Sequence, residues 1–197
     1  LLSGLKENDY LSRAFMKRLS KTNARIIFAD KDTDIIFDDG VVFDTLLPLK
    51  QIITSGEKAN NESIVAKVIF GESEILFTGD IEAETESILV ENGIDISADL
   101  LKIPHHGSKT SSTEVFLRKV APKHALISVG KDNTYGHPHA VTLERLRTLG
   151  VEVRRTDREG RVEYTFSKAG VVESSTRTIS APSERSFSSN FSYPRSM

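Results

Sequence analysis

The apolar residues of this chain change their spacing along its length, and each change marks a part of the fold. Residues 8–20, NDYLSRAFMKRLS, set Leu11, Phe15 and Leu19 on one face of an amphipathic helix, which predicts a packing helix. Short apolar runs follow: ARIIFA at 24–29, DIIF at 34–37 and VVFDTLL at 41–47 predict strands, with Asp39-Gly40 as a hairpin turn between the last two. Residues 49–62 are polar and predict a loop, and SIVAKVIF and EILFTGD form a second hairpin around Gly71-Glu72-Ser73. From residue 81 helical and extended patterns alternate: helices at 81–91, 113–120 and 140–148, strands at 99–103, 124–129 and 151–155. Such alternation predicts a layered α/β fold. The turn DREG at 157–160 leads to a last strand, RVEYTFS. Beyond Gly170 the chain is rich in Ser and Arg and loses its period, so the expected division is one domain over 1–168 and a disordered tail over 169–197.

Composition narrows this only slightly. With 197 residues, 38% hydrophobic and 27% charged, the chain suits one soluble globular domain. A net charge of -2 provides no basic field of the kind that drives nonspecific nucleic-acid binding, so charge names no partner. There is no Cys, which excludes disulfides and Cys-ligated zinc and leaves His and carboxylate as the only strong metal ligands. No apolar run approaches the roughly 18–20 residues that span a bilayer. The chain begins Leu1-Leu2-Ser3 without Met, so its natural start is expected upstream.

Three loops that follow apolar strands carry ligand-type residues. The first is Phe77-Thr78-Gly79-Asp80, where Asp80 either caps the following helix or reaches a ligand. In the second, Pro104-His105-His106-Gly107-Ser108, a buried strand runs into two adjacent histidines. The third runs from Gly130 through Asn133, Tyr135 and Gly136 to His137-Pro138-His139. Loops at like ends of neighbouring strands converge on one rim, and four of the five histidines lie in two of these loops. The fifth, His124, begins a strand and is expected to be structural. Carboxylate and imidazole suit Zn or Mn, and a metal pair can share a carboxylate, for which Asp80 is the candidate. Ser108, Lys109 and the hydroxyls of Thr110 to Ser112 offer donors to phosphate oxygens, which favours an anionic substrate.

In this order FTGD, LLKIPHHGSKTSS, ISVGKDNTYGHPH and RRTDREG resemble the C-terminal part of the metallo-β-lactamase-like domain of ComEC-type competence proteins, which take up DNA. NNESIV and DGVVFDTLLP also fit, so the resemblance covers about residues 8–167. It implies an αββα sandwich with a two-metal hydrolase site, in which Asp80 is the bridging aspartate and His106 a histidine ligand. His105 and His137 are then the groups that move a proton or stabilise charge, and Ser108, Lys109, Asn133 and Tyr135 the substrate-binding candidates. The implied reaction is hydrolysis of nucleic-acid phosphodiesters, with single-stranded DNA as partner, a membrane channel domain encoded upstream, and a place outside the bilayer of the inner membrane, a soluble cytoplasmic protein being the alternative. The alternative is a non-catalytic module that guides DNA or packs on the channel. The His-x-His-x-Asp-His-like motif that supplies the superfamily's first ligands is missing from these residues, so Asp80 and His106 alone are expected to be too few to hold two ions.

Overall fold

The computed structural model describes residues 10–29, 34–48 and 59–177. The chain opens with helix α1 (Tyr10–Leu19), then strands β1 (Asp34–Ile36) and β2 (Val42–Leu47), a short 3-10 turn (Ala59–Glu62), β3 (Val65–Phe70) and β4 (Ser73–Phe77). Next come α2 (Ala83–Glu91), β5 (Leu100–Lys102), α3 (Glu114–Val120), β6 (His124–Ile127), α4 (Ala140–Thr148), β7 (Glu152–Arg155) and α5 (Thr156–Glu159). The hairpin β8 (Arg161–Ser167) and β9 (Gly170–Arg177) completes the described part.

Strands β1 to β7 form one mixed sheet in sequence order. The first four pair antiparallel, β1 with β2 and β3 with β4 through short turns, and β4 to β7 run parallel because each is joined to the next through a helix. Leu76, Leu101, Ile103, Ala125 and Ile127 point from the sheet into the core, against Leu89, Phe116, Leu117 and Leu146 of the helices. Full burial of each such Leu, Ile or Phe side chain stabilises by about 1.5–3 kcal/mol. Along β6 the side chains alternate, so His124 faces the opposite side, where its ring lies 6.0 Å from that of Tyr164 on β8. The β8–β9 hairpin is fastened there by Ser73, whose hydroxyl donates to the carbonyl of Ser167 at 2.7 Å. This α/β architecture is compatible with the metallo-β-lactamase-like sandwich that the sequence motifs imply.

Some expectations are corrected. ARIIFA at 24–29 is not a strand: Phe28 makes one isolated bridge, and Ile26 and Phe28 stand exposed, because the run finds no ladder to join. On α1, Phe15 is 53% exposed rather than packed, while the side chain of Leu11 lies outside the described part. The polar loop expected at 49–62 falls outside the described residues as far as 58, and 59–62 form the 3-10 turn. DREG belongs to the single helical turn α5. The tail does not begin at 169, since β9 pairs antiparallel with β8 from Ser167↔Gly170 to Arg161↔Arg177. A ladder needs backbone groups rather than apolar side chains, so a Ser-rich composition does not forbid it. Residues 178–197 lie outside the described part.

Candidate functional site

Because β4 to β7 are parallel, the loops that follow them gather on one rim of the sheet. After β4, the Thr78 hydroxyl donates to the carbonyl of Lys102 at 2.8 Å and ties this loop to β5. Gly79 adopts φ +55°, and a Cβ there would sit 2.5 Å from Cβ of Ser63, so the turn requires glycine. The Ser63 hydroxyl accepts the Asp80 N–H at 3.0 Å, and Asn61 Oδ1 accepts the Glu82 N–H at 2.8 Å. The NNES stretch is therefore the clamp that holds the Asp80 loop. Asp80 does not cap α2, whose N-cap residue is Glu82; its carboxylate instead faces His106.

After β5, three successive residues take left-handed backbone: His105 at φ 45°, His106 at φ 53° and Gly107 at φ 83°. For non-glycine residues such geometry costs on the order of 1–3 kcal/mol each and persists only when its surroundings enforce it. Here they do. The His105 N–H donates to Gly79 O at 3.2 Å, the Ser108 N–H to His105 O at 2.8 Å, and the His139 N–H to Gly107 O at 2.9 Å.

This path presents the His106 ring to the Asp80 carboxylate. His106 Nδ1 lies 2.6 Å from the carbonyl oxygen of Ser128, which can only accept, so Nδ1 carries the proton. In the neutral ring Nε2 is then left with its lone pair, 3.6 Å from Asp80 Oδ1. Two ligands of one tetrahedral ion, each about 2.0–2.2 Å from it, lie roughly 3.4 Å apart. The donor set and spacing therefore fit two ligands of a divalent cation, and a backbone carbonyl behind the ligating histidine is the usual orienting partner. Among the described residues no group of three or more His, Cys, Asp and Glu side chains is arranged to hold one ion.

His105 points the other way. Its buried Nδ1 lies 3.2 Å from Glu82 Oε1, at an angle that makes no hydrogen bond. Glu82 Oε1 accepts from the Thr110 hydroxyl at 3.1 Å and from Asn60 Nδ2 at 3.4 Å. Sequence reasoning passed over this second rim carboxylate. Its one signal was the run Gly79-Asp80-Ile81-Glu82, where either acid could have been the one facing the histidines.

The loop after β6 brings in the remaining two histidines of the rim. Asn133 Oδ1 accepts the His137 N–H at 2.9 Å while its Nδ2 donates to His137 O at 2.8 Å and to Gly130 O at 3.1 Å. The His137 ring meets His105 edge-on at 5.5 Å and His139 at 5.1 Å, and stacks with Tyr135 at 5.9 Å. Burial, then the neighbouring His105, His139 and His106, hold the His137 imidazole below its ordinary pKa, with Asp80 pulling the other way. A cavity of about 320 Å³ opens between this loop and His106, with Ser128, Gly130, Asn133 and Tyr135 among its walls.

Asp80, His105, His106 and His137 thus share one rim, with Asn133 and Tyr135 on the cavity wall. Ser108 is buried and its hydroxyl is paired with that of Thr110 at 3.0 Å, so it shapes the loop from beneath. Ser111 and Ser112 are fully buried, whereas Lys109 and Thr110 are exposed. His124 stands at the opposite end of its strand, 3.3 Å from Glu152.

The fold is that of an α/β domain with a seven-stranded mixed sheet, compatible with a metallo-β-lactamase-like sandwich. By sequence it is related to the ComEC-type competence proteins. Over 107 residues, 54% of the chain, it is 41% identical to ComE operon protein 3 of Bacillus subtilis, covering 14% of that protein. It is 36% identical to Competence protein ComA of Neisseria gonorrhoeae over 68% of the chain and 19% of the relative. With Recombination protein 2 of Haemophilus influenzae it shares 35% identity over 73% of the chain and 18% of the relative. The aligned part is therefore less than a fifth of each of these relatives. No protein-family model matches the chain. Among the described residues no helix is long and apolar enough to cross a membrane.

Proposed function

We propose that this chain is the hydrolase domain of a DNA-uptake protein and acts on nucleic-acid phosphodiesters with the help of a divalent cation, Zn or Mn. The observation that carries the reading is the opposed pair Asp80 Oδ1 and His106 Nε2, 3.6 Å apart, with His106 Nδ1 held on the Ser128 carbonyl. Asp80 and His106 would hold the cation, which when bound polarises a phosphoryl oxygen and the attacking water. His137, and His105 whose ring meets it at 5.5 Å while turned toward Glu82, are the groups assigned to pass a proton to the departing oxygen. The relative named Competence protein ComA supports competence as the biological setting, and DNA as the substrate is this reading's own step from there. The same setting supports a place at the inner membrane, outside the bilayer.

A second reading has its own observation. Only two ligands face each other among the described residues, which suits a module that guides DNA without cutting it. One experiment separates the two. Residues 1–197 alone, and the same residues preceded by a His-x-His-x-Asp-His motif, are assayed for Mn and Zn affinity by calorimetry and for hydrolysis of single-stranded DNA. The hydrolase reading expects weak binding and little turnover from the short form, both properties in the long form, and loss of both on Asp80→Ala or His106→Ala with the fold intact. A long form that binds DNA but never hydrolyses it, whatever the metal, supports the guiding module.

A further inference from the structure

We infer that Tyr135, backed by His137, is a stacking platform that takes a nucleobase of single-stranded nucleic acid, placing the attached phosphate toward His106; this rests on the nucleic-acid reading above. Tyr135 is 77% exposed, yet it is not loose on the surface. Its ring lies within 24° of parallel to that of His137 with centroids 5.9 Å apart, an offset stack that leaves most of the tyrosine ring open to solvent. The loop beneath is braced for this purpose. Asn133 binds both the N–H and the carbonyl of His137, and Gly136 at φ +72° makes the turn between the two rings. His137 is itself held edge-on by His105 and His139.

The space beside the platform selects the partner. The adjoining cavity of about 320 Å³ is near the small end of ligand sites, enough for one nucleotide unit and too small for a duplex. None of the side chains lining it is acidic, and two, His106 and His137, are imidazoles. A cationic ligand would also stack on tyrosine, but the Asp80 carboxylate is not part of these walls and faces His106 Nε2 instead. A base can use the open face of Tyr135 only when it is unstacked from its own neighbours, which points to a single strand. Stacking of this kind tolerates any base, because every base has a π-face.

The test exploits the absence of tryptophan from the chain. Tyr135→Trp creates the sole tryptophan, placed on the platform. Titrated with a short single-stranded DNA oligomer in the presence of a chelator, its fluorescence should quench, and an abasic oligomer of equal length and charge should leave it unchanged. Anisotropy of a labelled oligomer should show Tyr135→Ala binding roughly five- to a hundredfold more weakly, with Tyr135→Phe close to the parent chain. If the oligomer binds but Ala, Phe and parent bind alike and the abasic strand competes equally, the platform is wrong and the nucleic-acid reading stands. If no oligomer binds to the parent chain or to a variant, both fail.

Discussion

Gly107 lies so close to Pro138 that a Cβ on the glycine would stand 2.6 Å from the proline Cβ. That contact seats the two histidine loops on each other, and the His139 N–H bond to Gly107 O closes the joint. Gly107→Ala should therefore suffer twice, from left-handed backbone at φ 83° and from the collision. A loss of about 2–4 kcal/mol is expected. Urea unfolding measures it, and a midpoint equal to the parent's would show that the loops can part without cost.

Glu86 is fully buried and accepts the backbone N–H groups of Ser112 and Thr113 at the start of α3. Glu86→Gln turns one acceptor into a donor that faces an N–H, which should cost about 1–3 kcal/mol. Burial, the largest influence, raises the Glu86 pKa above 4.5 despite these bonds. The folded state then holds the proton more firmly than the unfolded chain, so this group's contribution is full below 4.5 and declines as pH rises through the raised value. Stability measured between about pH 4 and 7 should fall less with rising pH in Glu86→Gln than in the parent. Parallel curves would refute the assignment.

Asp95 behaves in the opposite sense. A hydrogen bond from the Ser97 hydroxyl, then one from Lys67, brings its pKa from 3.8 down to about 2. Its contribution is therefore present above 3.8 and lost as pH falls toward 2, and Asp95→Asn should flatten that acid limb. Because the carboxylate is 75% exposed, the effect should shrink at high salt. Acid unfolding at two ionic strengths checks both statements; an unchanged limb in the variant would count against them.

Tyr164 offers a contrast. Burial raises its pKa to about 12, and its hydroxyl is buried with no hydrogen-bond partner among the described residues. Tyr164→Phe removes a desolvated group that makes no bond, so stability should stay within about 0.5 kcal/mol of the parent or rise. Tyr164→Ala should lose the ring contacts with His124 and Phe166 and unfold earlier. Thermal melts of the pair decide it, and a clear loss in Tyr164→Phe would reveal a partner for the hydroxyl.

Much of the rim was legible because its chemistry follows apolar strands. Asp80, His106 and His137 stand in the loops that follow β4, β5 and β6, and parallel pairing brings like ends together. Glu82 was not legible, since its neighbour His105 lies on another loop and only the folded sheet sets them side by side. The NNES stretch shows no role in the sequence, because its hydrogen bonds reach across to residues 80 and 82. Asn133 and Ser108 read as donors for a ligand, yet Asn133 braces its own loop and the Ser108 hydroxyl pairs with Thr110. Composition hid β9, and an apolar run suggested a strand at 24–29 that has only one bridge.

The left-handed run His105-His106-Gly107 means that the cleft cannot exist apart from the sheet. A peptide of residues 100–112 carries the same side chains, but nothing in it would hold two histidines in a conformation that their own backbone resists. The bonds that do so come from Gly79 and His139, in loops after two other strands. Cleft and fold should therefore melt as one unit, and any molecule that occupies the rim should delay unfolding of the whole described domain in proportion to the logarithm of its concentration.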